Sequence, residues 1–269
     1  MAIQQKYTKL QNILRELKFV VVAFSGGVDS TFLLKVARDT LGAEKVLALT
    51  ASSPTYPEYE LEESRELARH MGVRQEVVES NELEIPGFAQ NDRMRCYHCK
   101  LALFSICGAK AKELGYHFIL DGSNLDDLGD YRPGRQAALE LDVRSPLLEA
   151  ELTKNDIRYL SRELGLPTWL KQPFACLSSR FPYGVEITAE RLRQVGRCEM
   201  FLRKHKFNSY RVRYHHETAR IEVAVEDFSR FIDEDFRSVL LAEFKAAGFT
   251  YVVLDLEGYR TGSMNEPVP

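Results

Sequence analysis

Residues 19–30 read FVVVAFSGGVDS, a run of β-branched and apolar residues that breaks into a glycine turn carrying hydroxyls and a carboxylate. Gly26 and Gly27 reach backbone angles closed to other residues and let main-chain N–H groups approach an anion closely. Ser30 and Thr31 then open an apolar helix through Phe32, Leu33, Leu34, Val36 and Ala37, whose N-terminal dipole also favours negative charge. The string predicts a nucleotide phosphate site. It lacks the lysine of a Walker A loop and the spacing of a G-x-G-x-x-G turn, so neither γ-phosphoryl transfer nor dinucleotide binding is the expectation.

Outward from this stretch, strand, turn and helix recur. Tyr7, Leu10, Ile13, Leu14 and Leu17 repeat at helical spacing over 5–17. Strands are expected at 46–50, 75–78 and 117–121, and helices at 57–71, 94–114 and 153–164, the last capped by Thr153 and stopped by Gly165 and Pro167. Such alternation predicts an α/β fold, a parallel sheet with helices on both faces. Ligands of these sheets sit beyond the carboxyl ends of the strands. Ala23, Ser25, Gly26, Gly27, Asp29 and Ser30 from the first turn, Thr50 from the second strand, and Asp121 and Gly122 from the fourth are therefore the expected nucleotide contacts. The irregular segment KQPFACLSSRFPYG at 171–184 is where the rhythm changes. A helix at 188–205, strands at 210–215 and 219–225, a helix ending at Gly248 and a strand at 251–256 follow, an αββαβ order that predicts a small α+β domain with an antiparallel part. The expected division is 1–170 for nucleotide binding and 171–269 for substrate binding and oligomerisation.

A formal net charge of -3 and a pI near 6.1 offer no general basic surface, which weighs against a protein that grips nucleic acid by its backbone. No apolar stretch approaches the roughly 20 residues needed to cross a bilayer, and MAIQQKYTKLQ has no secretory core, so no membrane association and a cytoplasmic location are expected. Five cysteines in such a chain point to thiol or metal chemistry more than to a disulfide framework.

Cys96 and Cys99 stand three apart near the start of a long helix, so both sulfurs can face one side. That pair is half of a metal site, and Cys176 in the 171–184 loop is the candidate third ligand. Three thiolates on a [4Fe-4S] cluster leave one iron free for an exogenous ligand such as hydrosulfide; a redox dithiol, or a zinc site completed by His98, are the alternatives. Cys107 and Cys198 fit buried helix positions. Arg211 and Arg213 alternate along a strand and share one face, and with Arg180 they form a set suited to bidentate binding of phosphate or carboxylate, against the plainer reading of a solvated charged face. Glu199, on the preceding helix, is read as orienting a substrate or an arginine, against the commoner explanation of an exposed helix carboxylate. Asp126, Asp127 and Asp130 lie beside the nucleotide site without an assigned metal role.

SGGVDS after a strand resembles the PP-loop of the ATP pyrophosphatases, which break ATP between the α and β phosphates to adenylylate a substrate. LDGSNLDDLGDYRPG at 120–134, CLSSRFPYG at 176–184, RVRYH at 211–215 and LDLEGYRTGSMN at 254–265 extend the likeness to the LarE family over nearly the whole chain. The resemblance implies an ATP-dependent sulfur transferase of nickel-pincer nucleotide biosynthesis. Such enzymes adenylylate a carboxylate of pyridinium-3,5-biscarboxylic acid mononucleotide and place sulfur on the activated carbon. It implies ATP and Mg²⁺ at the loop, the substrate on Ser179, Arg180, Glu199, Arg211 and Arg213, and a homo-oligomer. One branch of the family sacrifices the sulfur of a single cysteine matching Cys176; the other has three, matching Cys96, Cys99 and Cys176, with a [4Fe-4S] cluster fed by a sulfide donor. All three cysteines are present here. A tRNA thiolation enzyme, an ammonia-using amidotransferase half and a non-catalytic nucleotide sensor are the competing classes.

Overall fold

The computed structural model describes residues 2–129, 133–172 and 175–260. Asp130, and the Thr261–Asn265 end of the last family motif, lie outside the described residues. The chain divides into two compact units, Met1–Pro86 with Arg93–Phe174, and Gly87–Asp92 with Ala175–Pro269.

In the first unit the strands β1 (Val20–Ala23), β2 (Val46–Ser52), β3 (Arg74–Glu79) and β4 (Phe118–Leu120) pair in the order β3-β2-β1-β4, all parallel. The helices are α1 (Ile3–Leu17), α2 (Val28–Leu41), α3 (Glu58–His70), α4 (Arg95–Leu114), α5 (Gly134–Glu140), α6 (Pro146–Glu149) and α7 (Lys154–Glu163). Successive residues of β1 point to opposite faces. Val20 and Val22 join Leu10 and Leu14 of α1, Phe32 and Leu33 of α2 and Ile157 of α7 in one core, while Val21 packs with Leu47, Leu49 and, from α4, Cys107 and Ala111. Helices therefore cover both faces, which is why β1 and β2 are apolar without alternation. The sheet order places β2 on one side of β1 and β4 on the other, so the switch point falls at the carboxyl end of β1, where the glycine turn lies.

The helix α7 begins as its sequence requires: the Asp156 N–H donates to Thr153 Oγ1 at 3.2 Å and the Thr153 N–H to Asp156 Oδ2 at 3.0 Å. The expected strands and helices of this unit end within about two residues of the observed ones. The helix α5 has no counterpart in the sequence reading. Its Gly134 sits so close to α4 that an added Cβ would lie 2.8 Å from Lys100 Cγ and 3.2 Å from the Cys96 carbonyl oxygen. Tertiary packing of small residues, rather than helical periodicity, holds it in place.

In the second unit α8 (Ala189–Lys204), β5 (Tyr210–His215), β6 (Thr218–Val223), α9 (Glu234–Ala246) and β7 (Tyr251–Leu254) follow the αββαβ order. β5 and β6 pair antiparallel, and α9 is the crossover that returns β7 parallel to β6. Residues Gly87–Asp92 belong with this unit through Asn91, which is fully buried. Its Nδ2 donates to the carbonyls of Pro182 at 2.7 Å and Val185 at 3.0 Å, and the Gly184 N–H donates to its own carbonyl at 3.0 Å.

Candidate functional site

At the carboxyl end of β1, Ala23 is the last strand residue and the Phe24 N–H still bonds the Leu49 carbonyl at 2.8 Å. The chain then turns. Gly26 adopts φ +64°, the left-handed region open chiefly to glycine, and an added Cβ would meet Ser64 Cβ of α3 at 3.2 Å. Ser30 Oγ closes the turn: it accepts the Ser25 N–H at 3.3 Å, lies 3.1 Å from Ser25 Oγ and donates to the Gly27 carbonyl at 3.3 Å. Gly27 is the N-cap of α2 and offers no side chain to its first N–H groups. Turn and helix start together form a cradle of the kind that receives phosphate.

Neighbouring strand ends complete the cradle's walls. Thr50 Oγ1 donates to the Phe24 carbonyl at 2.7 Å and accepts from Gln75 Nε2 at 2.8 Å. Gly122 backs directly on the turn, since an added Cβ would lie 3.2 Å from Asp29 Cβ and from the Ser30 nitrogen. Asp121 accepts from the hydroxyls of Ser123 and Ser145, both at 2.7 Å. Asp126 and Asp127 serve locally, accepting the N–H groups of Lys154 at 2.8 Å and Asn124 at 3.0 Å.

Three further residues hold this turn that the sequence reading did not single out. Lys154 forms an ion pair with Asp29. Lys171 Nζ donates to the Gly26 carbonyl at 3.3 Å and to Glu60 at 2.6 Å and Glu63 at 2.8 Å. Tyr56 Oη donates to the Ser25 carbonyl at 2.8 Å; burial, with the Glu60 carboxylate beside it, pushes this phenol far above its usual range, so it remains a neutral donor. No local pattern marks the lysines, because Lys171 and Gly26 are 145 positions apart.

In the second unit Cys176 is the N-cap of a short turn, Leu177–Arg180, with Sγ 2.8 Å from Ser178 Oγ. Arg180 is 0% exposed. Its Nε and Nη2 form a two-pronged bridge to Glu199 of α8, both at 2.8 Å, and Nη1 donates to the Ala175 carbonyl at 2.7 Å, the Cys176 carbonyl at 3.2 Å and Ser179 Oγ at 2.8 Å. Glu199 also accepts the Val212 N–H of β5 at 3.0 Å. Burial alone would raise the Glu199 carboxyl, but the attraction and hydrogen bonds of Arg180, with Arg211 nearby, together hold it below its ordinary value.

Arg211 and Arg213 share one face of β5, opposite Glu222 and Arg220 of β6. Arg213 Nη1 donates to the Ser179 carbonyl at 3.1 Å and Nη2 to Glu222 at 2.7 Å, while Arg211 stacks its guanidinium over Tyr259 at 5.1 Å. Burial first, then the charge of Arg180, lower the Arg211 pKa.

None of the five cysteines takes part in a disulfide. Cys96 and Cys99 lie in the first turns of α4, exposed and half-buried, and Cys176 is half-buried, whereas Cys107 and Cys198 are core residues. Within neither unit, among the described residues, do three or more His, Cys, Asp or Glu gather as a metal site. Burial raises the Cys107 thiol to about 11 and the Cys198 thiol further. At pH 8 only about one Cys107 in a thousand is then thiolate. Iodoacetamide on folded, iron-free protein is therefore expected to modify Cys96, Cys99 and Cys176 and spare Cys107 and Cys198, as peptide mass spectrometry would record. Comparable labelling of Cys107 would contradict this.

A strand, glycine turn and helix at the switch point of a parallel sheet make this a PP-loop nucleotide-binding protein. A family profile described as NAD synthase matches residues 2–91. The chain is 38% identical over 264 residues to the pyridinium-3,5-bisthiocarboxylic acid mononucleotide synthase of Lactiplantibacillus plantarum, covering 97% of this chain and 94% of that one. It belongs to the LarE family, that of this synthase. It is also 44% identical over 263 residues to an uncharacterized protein of Synechocystis sp. (98% of each chain), and 31% identical over 264 residues to one of Methanocaldococcus jannaschii (97% of this chain, all of the other). No helix among the described residues is long and apolar enough to cross a membrane.

Proposed function

We propose that this protein is an ATP-dependent sulfur transferase acting on pyridinium-3,5-biscarboxylic acid mononucleotide. A substrate carboxylate attacks the α-phosphorus of ATP and expels pyrophosphate; sulfide then adds to the acyl carbon of the adenylate and AMP leaves with its oxygen, giving the thiocarboxylate. The observation that carries this reading is the presence, in one chain aligned along its length with the named synthase, of a PP-loop cradle and non-core thiols.

The parts divide by chemistry. The N–H groups of the Gly26–Gly27 turn and the start of α2 receive the developing pyrophosphate charge, and Lys154 and Lys171 supply cations beside it. Asp29 is the carboxylate of this turn that could hold Mg²⁺ on the nucleotide phosphates, a role that requires Lys154 to release it. Ser179, Arg211 and Arg213 hold the substrate's phosphate or carboxylate near the reacting carbon. Cys96, Cys99 and Cys176 fit the ligand set of a [4Fe-4S] cluster in kind: three reduced thiols outside the core, with the remaining two sequestered inside it. When bound, such a cluster would supply an iron without a protein ligand on which exogenous sulfide is carried as a deprotonated nucleophile.

Two measurements test the proposal. Pyrophosphate release from ATP is expected to require the pyridinium mononucleotide; release that ignores it, or that follows added tRNA, would point to the competing classes. Iron and acid-labile sulfide in anaerobically prepared protein are expected at about four each per chain. Stoichiometric zinc without iron would overturn the cluster.

A further inference from the structure

We infer that Arg180 is a positioning residue that sets the place of Cys176 and locks its turn to the substrate strand, rather than a group that touches the substrate. The inference rests on the function proposed above for its consequence, though not for its geometry. A guanidinium has five N–H donors and no acceptor. Those of Arg180 serve the Glu199 carboxylate on one side and the Ala175 carbonyl, the Cys176 carbonyl and Ser179 Oγ on the other. The side chain has no exposed surface from which to meet a ligand. Glu199 passes the constraint on, since the oxygen that takes Arg180 Nε also takes the Val212 N–H, between Arg211 and Arg213. The turn is tied to β5 a second time by Arg213 on the Ser179 carbonyl. One planar fork therefore fixes, in a single hydrogen-bonded unit, the backbone of the cysteine and the strand that carries the anion-binding arginines.

A lysine cannot reproduce this pattern, because a single ammonium replaces a fork that reaches two sides. Arg180→Lys keeps the charge, and the paired variant Arg180→Met with Glu199→Gln removes both charges together, so that neither leaves an unpaired buried ion. Each is compared with the parent chain in two ways. The first is the rate at which iodoacetamide modifies Cys176 in iron-free, full-length protein, with Cys96, Cys99 and Cys107 as references in the same molecule. The second is the division of any loss in thiocarboxylate formation between kcat and KM for the pyridinium mononucleotide.

Both variants are expected to alkylate Cys176 at least about fivefold faster with the reference cysteines unchanged, and to lose roughly 100-fold in kcat with little change in KM, the scale of effect that a misplacement of about 1 Å produces. An unchanged Cys176 rate in both variants overturns the inference. So does a loss carried by KM alone, which would make Arg180 a substrate contact, and so does faster labelling of Cys107 in step with Cys176, which would make the pair a prop of the fold in general. If the parent chain makes no thiocarboxylate, the functional proposal fails while the alkylation rates still decide the role of Arg180.

Discussion

Cys176→Ala is expected to lower thiocarboxylate formation by about a thousandfold or more, the scale on which an essential reacting group is lost, while pyrophosphate release stays measurable. The substitution removes one sulfur. It leaves the Cys176 carbonyl that accepts from Arg180 and from the Ser179 N–H at 3.0 Å, so the turn keeps its main-chain bonds. The PP-loop cradle is untouched, being built from residues of the other unit. Adenylate formation and sulfur transfer should therefore separate in this variant. A thiocarboxylate yield equal to that of the parent chain would remove Cys176 from the chemistry.

Gly26→Val is expected to abolish both steps, with pyrophosphate release down by about 100-fold or more, the cost typical of losing one aimed N–H donor in a reacting site. A β-branched residue at φ +64° is strained by roughly 1–3 kcal/mol. Its Cβ would also press on Ser64, where the contact is already 3.2 Å for the first atom. Relief of this strain by the backbone would re-aim the N–H groups of the turn. Thermal unfolding separates the two effects: a midpoint a few degrees lower with folded protein at assay temperature is expected, and full pyrophosphate release would contradict the assignment of the cradle.

The parts of the molecule governed by local rules were legible in the sequence. The apolar run of β1 with its glycine turn, the Thr153 cap of α7 and the two-residue alternation of Arg211 and Arg213 each depend on neighbours within a few positions, and each stands in the structure where those rules put it. What was not legible depends on distant partners. Lys171 meets Gly26 across 145 positions, and Arg180 meets Glu199 across 19 with a helix start between them. From the sequence, Arg180 reads as one of three arginines waiting for an anion; only packing reveals that its donors are consumed within the protein. Likewise α5 shows no periodicity, because its buried positions are the small residues Ala137 and Ala138, whose fit against α4 is a property of two surfaces. The parallel return of β7 to β6 follows from the crossover through α9, which an order of elements alone does not specify.

The most direct test of the account is the product balance of a single anaerobic reaction of the purified chain with ATP, Mg²⁺, sulfide and pyridinium-3,5-biscarboxylic acid mononucleotide, read by mass spectrometry together with a pyrophosphate assay. One AMP and one pyrophosphate for each thiocarboxylate formed is the expected result. Thiocarboxylate made without ATP, or ATP cleaved to ADP and phosphate, would contradict it.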